Sequence, residues 1–116
     1  MKLFHNPRCS KSRTAMQFLT NRDLEVEVVA YLEVGLSLDE AQLIVQNYKG
    51  EFSDLLRNST HIETNNISKQ QKIQLLLEHF EHLQRPLLLT QNDCVIGRPI
   101  ENFSQIKRLS RYFAVE

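Results

Sequence analysis

Leu3-Phe4-His5-Asn6-Pro7-Arg8-Cys9-Ser10-Lys11-Ser12-Arg13 runs from an apolar pair, through a break, into the start of a helix. Lys2 to His5 reads as a first strand, and Asn6-Pro7 ends it, because proline has no backbone N–H to continue a ladder. Beyond the break Ala15, Phe18 and Leu19 share a helical face with Met16 beside it, which predicts a helix over Ser10 to Asn21. Cys9 therefore falls at a helix N-terminus. There the first N–H groups lack intrahelical partners and the dipole is positive, so a thiolate is favoured over a thiol. Arg8, Lys11 and Arg13 add positive charge. Lowering the thiol pKa by about two units from about 8.5 would raise the thiolate fraction at neutral pH from about 3% to more than half.

Outward from this loop, Glu25 to Tyr31 alternates at first and then becomes continuously apolar, as a strand passing into a core does. Strand, helix and strand in this order predict a right-handed parallel unit. A helical block follows. Ser37 and Glu40 form a capping box before Ala41, Ile44 and Val45, with Gly50 as a helix stop, and Phe52, Leu55 and Leu56 suggest a short further helix ahead of Arg57 and the polar run Asn58-Ser59-Thr60. Ser68 and Gln71 open another helix with Ile73, Leu76, Leu77, Phe80 and Leu83 as its buried face. Leu87 to Thr90 and Cys94 to Ile96 read as an antiparallel hairpin turning at Asn92-Asp93. Glu101 to Tyr112 reads as a last helix, with Phe103, Ile106, Leu109 and Phe113 on one side. The whole predicts one α/β domain over residues 1–116, a thioredoxin-like fold with a mixed central sheet and a helical insertion at about 37–83.

Composition limits the function. Lysine plus arginine and aspartate plus glutamate number 14 each among 116 residues, so no basic field is available to hold a nucleic acid, and any anion site must be a local cluster. No run of about 18 apolar residues and no signal-peptide-like start is present, which predicts a soluble, cytoplasmic protein, without a membrane partner, in a reducing compartment. Two cysteines are too few for a structural zinc site, and His79 and His82 lack ligating neighbours in sequence, so no metal and no bound cofactor are expected. A phosphatase-type loop requires Cys-x5-Arg, but the sixth residue after Cys9 is Ala15.

The pattern His5-Asn6-Pro7-x-Cys9-x-x-Ser12-Arg13 resembles the active-site loop of arsenate reductases coupled to glutathione and glutaredoxin, a family related to the Spx-type regulators. Spx-type proteins commonly carry Cys-x-x-Cys, whereas Ser12 occupies the second position here. The resemblance covers nearly the whole chain. It implies Cys9 as the nucleophile and Arg57, Arg85 and Arg98 as oxyanion ligands, with Asn6, Ser12 and Arg13 supporting the loop. It also implies arsenate as substrate, glutathione as co-substrate and glutaredoxin as partner, in a protein expected to be monomeric. In such folds the proline entering the third strand is commonly cis, which points to Arg85-Pro86. His5 has two readings, a group that biases Cys9 towards thiolate or a strand-end histidine bonded to backbone. Cys94 reads as structural. Two other functions stay open: a non-enzymatic, RNA-polymerase-binding regulator of the Spx type, and a glutathione-dependent reductase of another small substrate.

Overall fold

The computed structural model describes residues 1–58 and 62–113, so Ser59 and Thr60 of the polar run after Arg57 lie outside the described residues. Four short strands form one sheet in the order β2-β1-β3-β4: β1 (Lys2–Phe4), β2 (Glu27–Val29), β3 (Leu87–Leu89) and β4 (Cys94–Ile96). β1 and β2 are parallel, with Leu3 opposite Val28, while β1 with β3 and β3 with β4 are antiparallel. The parallel unit and the hairpin expected from the sequence are both present, and the sheet is mixed.

Alternation along the strands divides the core. Leu3, Leu88 and Val95 face one side and pack with Ala15 and Leu19 of α1 (Ser10–Thr20) and with Phe103, Ile106 and Leu109 from the chain's last stretch. Phe4, Leu87 and Leu89 face the other side, against the insertion, with Tyr31, Ile44, Leu55 and Leu76. Burying large side chains on both faces at about 25 cal/mol per Å² of apolar surface is what holds strands of only three residues in place.

The insertion contains α2 (Tyr31–Val34), α3 (Leu38–Asn47), a 3₁₀ turn at Phe52–Leu55 and α4 (Lys69–Glu78). Both expected capping boxes are formed: Ser37 Oγ accepts from Glu40 N at 3.0 Å, and Ser68 Oγ accepts from Gln71 N at 3.1 Å.

Four boundaries differ from the sequence reading. The second strand stops at Val29, where the ladder to β1 runs out, and Tyr31 begins α2. That short helix ends at Gly35, whose φ of +71° suits a residue without a Cβ. α3 ends at Asn47, short of Gly50, because Tyr48 turns extended to form a parallel bridge with Cys94. The helix expected to reach Leu83 stops at Glu78 and gives way to a 3₁₀ turn at Phe80–His82, and Leu83 then bridges antiparallel to Leu56. Finally, the last helix is two 3₁₀ segments, Ile100–Gln105 and Lys107–Phe113. Phe103, Ile106, Leu109 and Tyr112 recur every three residues, which is the period of a 3₁₀ helix, so the expected inward positions are kept in a tighter helix.

Candidate active site

The loop between β1 and α1 is tied to itself. His5 N donates to Val29 O at 3.0 Å, extending the sheet pattern by one residue, and Arg8 N donates to Asn6 Oδ1 at 3.0 Å in a local turn. Cys9 N donates to Asn6 O, and Arg13 Nη1 reaches back to Pro7 O at 2.8 Å. Ser12 is fully buried beneath the loop, where its Oγ accepts from Asn6 N at 3.0 Å and shares a hydrogen bond of 2.7 Å with His5 Nδ1. Asn6, Ser12 and Arg13 thus act on the shape of the loop.

Cys9 occupies the N-cap of α1 and is partly exposed. Burial works against its thiolate, but the Ser12 N–H, the Arg85 side chain and the Lys11 N–H together outweigh it and hold the thiol below its ordinary range. His5 is pushed the other way from a cation: burial lowers it, Ser12 opposes this, and Arg13 lowers it further, so the imidazole stays neutral at pH 7. His5 thus stands at the end of β1, with its backbone N–H on Val29 O and its ring bonded to Ser12.

Two arginines converge on the sulfur. Arg98 Nη1 stands 3.7 Å from Cys9 Sγ and donates to Arg85 O at 3.3 Å. The Arg85 side chain also lies near Cys9 and favours its anion. Its Nε is buried with no partner among the described residues. Both arginines precede cis prolines, at Arg85-Pro86, where the sequence alone left the isomer open, and at Arg98-Pro99. The hairpin register explains their meeting. Leu87 pairs with Ile96, so the residues just before β3 and just after β4 emerge at the same end of the sheet. Gly97 N donates to Pro86 O at 2.8 Å, and Asn102 Nδ2 holds Arg98 O at 3.3 Å.

Arg57 arrives by another route. Its N–H donates to His82 O at 2.7 Å beside the Leu56–Leu83 bridge, so two parts of the insertion are laced together just ahead of Arg85. Its charge reaches the site at Tyr31.

Cys94 lies elsewhere. It pairs with Leu89, which pairs with Lys2, whereas Cys9 follows the opposite end of β1. Burial pushes its thiol up to about 12, and both cysteines are free. His79 and His82 stack with ring centroids 6.4 Å apart, and no cluster of metal-ligating side chains exists among the described residues. No helix among the described residues is long and apolar enough to cross a membrane.

The site is thus a short cysteine loop at a helix start beside two arginine-proline turns at one end of a mixed sheet. The ArsC family pattern matches residues 4–106. The chain belongs to the ArsC family. It is 32% identical over 113 residues to an arsenate reductase of Neisseria meningitidis, covering 91% of this chain and 97% of that one. It is 27% identical over 118 residues to the uncharacterized protein YfgD of Escherichia coli, covering 91% and 95%. The solved arsenate reductase from Vibrio cholerae superposes with a TM-score of 0.72 at 25% identity, over 93% of this chain and 97% of that one. A Staphylococcus aureus protein solved by NMR shares the fold, with a TM-score of 0.69 at 18% identity over 90% and 95% of the two chains. The resemblance read from the Cys9 loop holds at the level of the ArsC family and of its thioredoxin-like fold.

Within this ArsC site, Tyr31 was not singled out by sequence. It is fully buried, and its hydroxyl donates to Leu83 O at 3.5 Å. Burial raises its phenol, Arg85 pulls it back, Cys9 adds to the rise and Arg57 opposes it, so the hydroxyl lies within electrostatic reach of all three. The one local sign was a tyrosine ending an apolar run, which read as a strand residue.

Proposed function

We propose that this chain is an arsenate reductase of the kind coupled to glutathione and glutaredoxin, with Cys9 as nucleophile. The observation that carries the reading is the pair of guanidinium groups at Cys9: Arg98 at 3.7 Å from the sulfur, and Arg85 with a buried, unpartnered Nε. Guanidinium N–H groups bind tetrahedral oxyanions through paired, charge-assisted hydrogen bonds, and arsenate at neutral pH carries between one and two negative charges. Arg57 would complete a trigonal clamp, reaching the anion from the Tyr31 side.

Chemistry then follows from the charges. The Cys9 thiolate attacks arsenic, a hydroxyl of arsenate takes a proton from solvent and leaves as water, and the arginines spread the charge that develops on the remaining oxygens. A glutathione thiolate next attacks the Cys9 sulfur. The electron pair of the arsenic–sulfur bond stays on arsenic, which leaves as arsenite, and a mixed disulfide remains on Cys9. Arsenic gains two electrons and two thiols lose them. Glutaredoxin removes the glutathione, since exchange at an accessible disulfide is faster when the departing thiol, here Cys9, has a low pKa. An external reductant is required because Ser12 stands where a resolving cysteine would be and Cys94 belongs to the far end of the sheet. A regulator of the Spx type would have no use for two arginines aimed at the sulfur.

The test is NADPH oxidation in a mixture of the protein, glutathione, glutathione reductase and glutaredoxin. Oxidation that depends on arsenate and on Cys9 supports the reading. Oxidation equal with and without arsenate refutes it.

A further inference from the structure

Beside the Cys9 loop, Lys11, Thr14, Gly97, Pro99, Ile100 and Glu101 line a cleft of about 190 Å³. One wall is the first turns of α1 and the other is the turn that carries Arg98. Lys11 follows Cys9 by two residues, and Gly97 and Pro99 flank the arginine that stands 3.7 Å from the sulfur, so the cleft adjoins the nucleophile. The close packing that shapes it depends on Gly97: a Cβ there would lie 2.6 Å from Phe103 Cζ.

The charges of this cleft are of opposite sign. Lys11 and Glu101 are both exposed, and neither belongs to an ion pair among the described residues. Exposed Pro99 and half-buried Ile100 are apolar parts of its lining. An ammonium and a carboxylate on one small cleft match a zwitterion, with the ligand's carboxylate at Lys11 and its ammonium at Glu101. The volume is below the roughly 300–1,000 Å³ of sites that enclose a drug-sized molecule, so the cleft takes one end of a ligand whose remainder stays outside.

We propose that this cleft docks the α-amino-acid end of a small thiol co-substrate, and so presents its sulfur to the adduct on Cys9. The proposal rests on the reading above that Cys9 turns over through an external thiol. It separates the two ligands, with the oxyanion on the arginines and the thiol on the Lys11–Glu101 side.

Thiol–disulfide exchange tests the cleft without arsenate. Reduced protein is mixed with glutathione disulfide, or with bis(2-hydroxyethyl) disulfide, which has no charged ends. In either case the Cys9 thiolate attacks one sulfur, a new S–S bond forms on Cys9, and the other half leaves as a thiolate. The ratio of the two rate constants cancels any change in the thiolate fraction of Cys9. Lys11→Glu should lower this ratio by about tenfold, the loss of one charge-assisted contact. Glu101→Lys is the sharper variant. General attraction between a cation and the net-negative glutathione disulfide would raise the ratio, whereas loss of the ammonium's partner should lower it by about tenfold. A ratio unchanged or raised in Glu101→Lys overturns the cleft. Arsenate-dependent turnover in which both variants keep the wild-type KM for glutathione also overturns it, and leaves the reductase reading standing. A ratio that falls in both variants, in a protein with no arsenate-dependent thiol oxidation, supports the cleft and refutes the reductase reading.

Discussion

Arg98 Nη1 and Cys9 Sγ stand 3.7 Å apart across 89 residues of chain. The hairpin makes the contact possible: Arg98 leaves β4 at the end where Arg85 enters β3, and Arg98 also donates to Arg85 O at 3.3 Å. The backbone of Arg85 thus helps to hold the Arg98 guanidinium at the sulfur.

Cys9 should be alkylated by iodoacetamide with a midpoint below the ordinary thiol value, because its anion is the stabilised form. Reactivity should rise as pH climbs through that lowered value and then level off. Arg85→Ala should move the midpoint up, since the Arg85 guanidinium favours the thiolate, while Arg57→Ala, whose charge acts on Tyr31, should leave it unchanged. A wild-type midpoint at or above about 8.5 would contradict this.

Arg98→Ala should lower arsenate-dependent kcat by about 10²- to 10³-fold, the scale of losing one preorganised oxyanion donor, with the melting temperature nearly unchanged. Arg98→Lys should recover only part of the loss. Full recovery would mean that a point charge suffices and that paired donation is not used.

Native protein at pH 8 should take up one equivalent of a thiol reagent, on Cys9, and a second only after unfolding, because Cys94 is buried with its thiol pushed up to about 12. The sign for stability follows. A group raised on folding favours the folded state fully below its unfolded value and loses that contribution as pH rises through the folded value. Thermal melts should thus fall more steeply between the ordinary thiol value of about 8.5 and about 12 in the wild type than in Cys94→Ala.

Ser12→Ala should cost more stability than Ser37→Ala. The buried Ser12 hydroxyl serves both His5 Nδ1 and Asn6 N, and leaving them unpaired costs about 1–3 kcal/mol, whereas losing the exposed Ser37 cap costs about 1 kcal/mol. Equal melting temperatures for the two variants would show that water replaces Ser12.

Much of this was legible locally. The strand, loop and helix around Cys9, both capping boxes and the hairpin each rest on signals contained within about ten residues of sequence. Arg85 and Arg98 could be singled out because each precedes a proline beside a strand. What was not legible depends on contacts between distant segments. Tyr31 joins the site only because β2 ends with the three-residue ladder of β1, and Arg57 approaches only through the bridge between Leu56 and Leu83. The 3₁₀ form of the last stretch was hidden for another reason. Phe103, Ile106 and Leu109 satisfy a three-residue period, and with Phe113 they satisfy an α-helical one equally well.

The most direct test of the central claim is the intact mass of the protein after reaction with arsenate and glutathione in the absence of glutaredoxin. The account predicts one added glutathione, an increase of about 305 Da on Cys9, absent in Cys9→Ser, retained in Cys94→Ser and removed by glutaredoxin. An unmodified chain, or a Cys9–Cys94 disulfide as the sole product, would contradict it, because the latter requires Cα atoms closer than about 7 Å at positions the sheet register sets at opposite ends.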